Sequence, residues 1–436
     1  MISRYHVRCP GCDEVFIARI GAQPTDLTKF YVPCPHCQLP IRGRMTGQEL
    51  DDHRVILDGD LVSEAEASTN APVVTIDPFV PSRYGADSLD GLGTFPTMTL
   101  MHLLEDRMLD FMEDSGHASE AIDSLWVPTE MLFEYYLDEN WSMFARVANK
   151  RLEIQRIGTS RHDRSRLAYH ALGVATVTIV GQTGERGKLV FDRFTRKHLA
   201  AIRQESHRAL LRARDAESAS LERDVFGVMG HFVDNYPSWS MGRLVRYVDA
   251  STLTDLTLFR DEFTLVRDLY QQGFELACKC LWILLATQNT VKRGDPNSFG
   301  EIHPAIVPTN KRPKNLTQFD KLPNAYKLAY SGQVPGWDGL SSLLDNKRRN
   351  TIGHASVRHD LRSGRIVTDK DQSGISYLDF LNEVLGVYEA LCSLMQIVRL
   401  VRVAASPDFT VNRPNAAVYR SHRRFTPPPC RTSRVR

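Results

Sequence analysis

Four cysteines in two tight pairs, Cys9-Pro10-Gly11-Cys12 and Cys34-Pro35-His36-Cys37, constrain the start of this chain more than any other feature constrains the rest. Each CxxC sets two thiolates at the tip of a hairpin knuckle, and the 21 residues between the pairs let the knuckles converge on a closed, tetrahedral four-sulfur zinc site. Such a site is structural. Glu14 to Arg19 and Lys29 to Val32 read as short strands leaving and entering the knuckles. A segment this small buries too little to fold alone, so the metal is expected to supply much of its folding free energy. Two disulfides are the competing reading. Met1 to His6 runs into the first knuckle without an apolar stretch, which predicts no signal peptide and a cytoplasmic, reducing setting. His36 receives no ligand role, because four cysteines already complete the coordination sphere.

The 436-residue chain as a whole is of ordinary globular composition, 42% hydrophobic and 24% charged, which suggests two to three domains. Its apolar run Cys280 to Ala286 is far shorter than the roughly 20 residues of a membrane span, so no membrane partner is expected. Net charge is only +2, so attraction to a polyanion must come from local patches. One is the tail from Val411, with seven arginines, no acidic residue and the helix-breaking Pro427-Pro428-Pro429.

The expected organisation is a mainly α protein: a β zinc ribbon over 1–47, a linker over 48–98, a mainly helical middle region over 99–228, a helical bundle over 229–404 and a basic tail over 405–436. The linker is rich in Asp, Ser, Ala, Gly and Pro without periodicity. Helical spacing begins at Leu100, Leu103, Leu104 and Met108 and continues from Met131 to Ile154. Val174 to Val180, Gly181 to Gly187 and Lys188 to Phe191 together read as a β-hairpin, and Phe194 to Val228 as helical. Leu256 to Val291 carries an apolar stripe through Leu265, Leu269, Leu276, Cys280 and Ile283, and Ile375 to Val403 carries another through Leu378, Leu385 and Tyr388. Cys278, Cys280 and Cys392 lie within these stripes and read as core. The run Gly181 to Lys188 is rejected as a phosphate loop, since Gly181 to Gly187 is one residue too long and Leu189 stands where a magnesium-binding hydroxyl belongs.

The remaining chemical candidate is Arg349-Asn350-Thr351-Ile352-Gly353-His354. Arg156 with His162, Arg164 with His170 and Arg193 with His198 show similar spacings, so spacing alone does not discriminate. What distinguishes Arg349 and His354 is the Asn directly after Arg, a helix start after a Pro- and Gly-rich connection, and the long apolar helix that follows. On a helix Asn350, His354 and Arg358 would form one polar stripe with Arg349 beside it. Imidazole suits proton transfer near neutrality, and guanidinium can hold a phosphate through paired donors.

Together with the helix start Ile375 to Leu381, these features resemble the HEPN superfamily of helical, RNA-cleaving domains found in toxins and phage-defence effectors. The resemblance implies a metal-independent endoribonuclease in which the ribose 2′-hydroxyl attacks the adjacent phosphate, with Arg349, Asn350 and His354 as catalytic residues. It also implies a homodimer in which two such motifs meet. Arg348 and Arg358, with Arg42 and Arg44 near the knuckles beside Arg19, are the expected nucleic-acid contacts, leaving the ribbon free to engage nucleic acid or a protein partner. A reading from another class is a non-catalytic adaptor, in which the ribbon binds nucleic acid and the helical domain only dimerises.

Overall fold

The computed structural model describes residues 2–23, 25–47, 54–66, 70–83, 96–181, 198, 201–249, 253, 256–302, 304–353, 357–369 and 371–405. The N-terminal part is β and the remainder mainly helical. Strands β1 (Ile2–Arg8) and β2 (Val15–Gly21) pair antiparallel from Ile2 opposite Gly21 to Arg8 opposite Val15. β3 (Thr25–Pro33) and β4 (Pro40–Gly47) form the second hairpin, with Pro33 opposite Pro40. Each hairpin ends in one of the CxxC knuckles.

The segment expected to be a linker is instead part of these sheets. β5 (Arg54–Leu57) borders β4, β6 (Asp60–Leu61) borders β1, and β7 (Val73–Ile76) lies parallel to β2, with Ile17 opposite Val73 and Ile20 opposite Ile76. The cause is the apolar edge of the first hairpin, where Phe16, Ile17, Ala18 and Ile20 are all buried. An open edge of that kind demands a partner, and the β-branched run Val73-Val74-Thr75-Ile76 supplies it. β8 (Ser82–Arg83) then pairs with β9 (Leu256–Thr257).

The helical body comprises α1 (Pro96–Leu104), α2 (Met108–Ala121), α3 (Val127–Leu137), α4 (Trp141–Arg151), α5 (Arg161–Val180), α6 (Glu205–Ala213), α7 (Asp215–Asp234), α8 (Tyr236–Trp239), α9 (Phe263–Arg293), α10 (Leu316–Asp320), α11 (Asn324–Ser331), α12 (Asp338–Ser341), α13 (Asn346–Gly353) and α14 (Tyr377–Ala405). A small sheet of β10 (Arg358–Asp360), β11 (Arg365–Val367) and β12 (Ile375–Ser376) separates the last two. The helix starts are chemically marked. Ser160 and Ser376 each accept a hydrogen bond from the backbone N–H three residues on, at 3.1 and 3.0 Å, and each hydroxyl donates to the Asp there, at 2.7 Å in both. At the other end of α9, Gly294 takes a left-handed φ of 72° and its N–H closes onto Thr290 O.

Helix α5 corrects the expected hairpin. Val174 to Val180, rich in β-branched residues, is the end of a capped helix, and the Thr176 and Thr178 hydroxyls donate to Leu172 O and Val174 O at 2.8 and 2.9 Å. The cap at Ser160 and the burial of Ala168, Leu172 and Ala175 outweigh local strand preference. The other half of that hairpin, with the rejected glycine run beyond Gly181, lies outside the described residues, as does the basic tail. Helix α9 begins at Phe263, not Leu256, and Leu265 is exposed at 41% instead of lying on the stripe. The expected helix over 131–154 is two, α3 and α4, broken at Asp138–Asn140.

The expected boundary at 228/229 falls inside α7, because the middle region and the C-terminal helices share one core. Phe232 of α7 stacks on Tyr388 of α14 with ring centroids 5.4 Å apart. Glu222 of α7, fully buried, accepts from Tyr169 of α5 and pairs with Arg402 of α14, so three helices are tied at one carboxylate. The span Tyr377–Val403 of α14 has the length and mean hydropathy, 1.6, of a membrane span, yet is 78% buried among the other helices. It is a core helix. Cys278 and Cys280 are likewise buried, and burial pushes both thiols up to about 12, which leaves them unreactive packing groups.

The β unit is docked on this body by residues 258–262. Phe30 and Arg260 form an antiparallel bridge, Tyr31 N–H donates to Phe259 O at 3.2 Å, and Asp261 N–H donates to Lys29 O at 3.0 Å. Phe259 and Leu361, from the body, complete the β unit's core beside Phe30 and Tyr31. Arg260, only 2% exposed, donates to Pro237 O, lies 3.4 Å from Thr28 Oγ1 and sits over the Phe79 ring at 5.4 Å. It pins both halves together.

Candidate functional site

The two knuckles have the same build. Cys9 N–H donates to Glu14 O and Asp13 N–H to Cys9 O; Cys34 N–H donates to Leu39 O and Gln38 N–H to Cys34 O, all at 2.9–3.0 Å. Asp13 and Gln38 both adopt φ 58°, which turns each chain sharply after its second cysteine. The sulfurs converge: all four lie within 4.8 Å of one another, with Cys9 to Cys37 at 3.7 Å and Cys12 to Cys34 at 3.8 Å. A tetrahedron with metal–sulfur bonds of about 2.3 Å has edges of about 3.8 Å, so these residues fit a bound metal ion, whereas a disulfide needs about 2.05 Å. The cysteines are free of disulfides. Gly11 N–H points at Cys9 Sγ from 3.4 Å. Burial pushes the Cys34 thiol up to about 12, while the backbone N–H of Leu39 draws Cys37 down.

The second candidate centres on α13. Asp345 caps it, its Oδ1 accepting from the N–H groups of Lys347 and Arg348 at 2.8 and 3.1 Å. Ile352 is buried in the body core, and its carbonyl accepts from Gln271 of α9 at 3.3 Å. Two adjacent arginines therefore diverge. Arg348 turns to α14, its Nε 2.8 Å from Glu383 Oε1. Burial lifts that carboxyl to about 7 against the opposing pull of Arg348. Arg349 turns to α9 and pairs with Glu275, whose other oxygen accepts from Asn324 at 2.9 Å; the side chains of the pair are 30% and 40% exposed. Arg349 also approaches Asn350 Oδ1 at 3.3 Å, and Asn350 itself is exposed.

Arg349 lines an open cleft of about 660 Å³ between α7 and α9, shared with Arg223, His231, Glu275 and Lys279. The structure thus brings Arg349 and Asn350 together on one helix, and His354 lies outside the described residues. The expected helical stripe from Asn350 to Arg358 does not form, because α13 ends at Gly353 and Arg358 belongs to β10. Arg358 is exposed there. Arg42 is also not the free cation expected, since its Nε lies 2.8 Å from Asp261 Oδ2 at the docking seam, while Arg44 on β4 is exposed.

Sequence reasoning missed His231, Lys279 and Glu275. On α7 and α9 they look like solvated faces of amphipathic helices, and only the packing of α7 against α9, with α13 set against α9, turns them to a common space. No family model, no curated protein and no solved structure matches this chain.

Proposed function

We propose that this protein is a metal-independent endoribonuclease of HEPN type, of the kind used as a toxin or phage-defence effector, with zinc as the structural ion of its ribbon. The carrying observation is that Arg349, on the helix preceding His354, opens onto the α7–α9 cleft instead of being consumed in the core. An all-thiolate tetrahedral cage selects zinc over the harder cations that prefer oxygen. In the reaction, Arg349 holds the scissile phosphate and offsets its developing charge, and Asn350 hydrogen-bonds a phosphate or ribose oxygen. His354 exchanges the proton as the ribose 2′-oxygen bonds to phosphorus and the bond to the 5′-oxygen breaks, leaving a cyclic phosphate. Two copies joined through an isologous interface would bring two motifs together.

The test is incubation of mixed cellular RNA with zinc-loaded protein in excess EDTA. Cleavage with cyclic-phosphate ends, lost in His354→Ala and in Arg349→Ala, is the expected result; cleavage that survives both changes overturns the assignment. The second reading, a non-catalytic adaptor, has an observation of its own: Arg348 and Arg349 are both engaged in ion pairs with α14 and α9. It predicts a dimer that binds RNA and never cleaves it.

A further inference from the structure

The cleft beside Arg349 is a furrow with two parallel walls. Arg223, Gly227 and His231 follow one another at every fourth residue of α7, and Gln271, Glu275 and Lys279 do the same on α9. Each line rises about 12 Å over its eight residues. The wall on α7 is hollow at its centre: among the described residues, nothing lies within 4 Å of where a Cβ on Gly227 would stand. A glycine inside a helix costs about 1 kcal/mol relative to alanine, and here it leaves open space.

The furrow's chemistry is that of a single nucleic-acid strand. Arg223, Lys279 and Arg349 set three basic side chains against the carboxylates Asp224 and Glu275, and Glu275 is already engaged by Arg349 and Asn324. The Arg223–Asp138 pair, 2.9 Å long, is 57% and 60% exposed, so it exchanges readily for a phosphate. Val228 and Leu276 give the cleft apolar surface for a base or sugar, and the Gln271 amide offers both a donor and an acceptor to a base edge. Packed helices with axes about 8–10 Å apart leave a groove too narrow for a duplex.

We infer that the α7–α9 furrow is the groove that takes the RNA strand, with Lys279, Arg223 and Arg349 on its phosphates and the gap at Gly227 admitting a base. This rests on the ribonuclease reading for the identity of the strand. The groove runs past Arg349 between the two helices, so it sets which nucleotides flank the cleaved bond.

Binding is measured by fluorescence anisotropy of a labelled, fully 2′-O-methylated single strand, which cannot be cleaved, on the zinc-loaded full chain. Gly227→Leu fills the gap while raising helix propensity, and Lys279→Glu reverses an exposed charge; thermal melts check that both remain folded. Each is expected to weaken binding at least tenfold, with affinity falling as salt rises. Unchanged affinity in both variants, equal affinity for a duplex, or no binding by the wild type overturns the groove. The outcomes separate the two claims. Cleavage at full rate in both variants sinks the groove and leaves the nuclease; binding that depends on both residues, with cleavage absent or indifferent to His354→Ala, sinks the nuclease assignment and leaves the groove.

Discussion

Asp13 and Gln38 occupy the same place in two knuckles 25 residues apart in the chain, each directly after its second cysteine and each at φ 58°. Neither has the glycine that this conformation favours, so each knuckle carries strain of about 1 kcal/mol, held by the paired backbone hydrogen bonds. Asp13→Gly and Gln38→Gly are each expected to raise stability by up to about 1 kcal/mol, and Asp13→Val to lower it by at least as much. Thermal melts of the metal-loaded protein read the difference; equal melting temperatures for glycine and valine would contradict it.

Removing a ligand should empty the cage. Cys12→Ser is expected to reduce bound metal from one equivalent to none by elemental analysis, and to melt the β unit before the helical body. Loss of the β3 and β4 amide protection in hydrogen exchange, with α9 still protected, is the signature; retention of a full equivalent of metal would refute the four-sulfur site.

The Arg349–Glu275 pair is half-exposed, so it contributes little to the fold. Arg349→Ala should cost under about 1 kcal/mol, and a double-mutant cycle with Glu275→Gln should give a coupling of about the same size or less. Denaturant titration measures both. A small value means that any loss of RNA cleavage in Arg349→Ala comes from the chemistry and not from unfolding; a coupling of several kcal/mol would recast Arg349 as a structural clamp.

Glu222 is the opposite case. It is fully buried between Tyr169 and Arg402, and Glu222→Ala leaves Arg402 to the half-exposed Asp215 at 3.6 Å and removes the acceptor of the Tyr169 hydroxyl, at an expected cost of about 3 kcal/mol. Chemical denaturation should show it, and a cost under 1 kcal/mol would show that the three helices are held by packing alone.

His359 makes the docking seam sensitive to acid. Its ring stacks on Tyr377 at 4.6 Å and faces Tyr31 of the β unit at 6.0 Å, and burial holds its pKa down to about 4, although Asp261 and Asp360 pull the other way. The unfolded chain therefore binds this proton first. Stability is full above about pH 6.5 and declines as pH falls towards 4. His207, also held at about 4 by burial, acts in the same sense. His359→Phe should flatten the profile relative to wild type in melts between pH 4 and 7; identical slopes would place the acid sensitivity elsewhere.

The cysteine cage was legible because its information is local: spacing alone brings two knuckles into register, and the structure keeps every ligand named from the sequence. Helices α9 and α14 were legible from their apolar stripes. The α7–α9 cleft was not, since it joins Arg349 to Arg223 and Lys279, which look solvated within their own segments. Strand β7 was hidden for a related reason, because its pairing with β2 lies outside any local pattern. At Val174 to Val180 local preference pointed to a strand, and a serine cap some fourteen residues upstream decided the matter.

The backbone of Lys29 bonds to the side chain of Glu262, 233 residues further along the chain. On a ribosome adding about 5–20 residues per second, the ribbon's second hairpin waits on the order of 10–50 s for the strap that covers it. During that interval Phe30 and Tyr31 face solvent or a chaperone, so the order of synthesis leaves this hairpin open to mispairing in nascent chains.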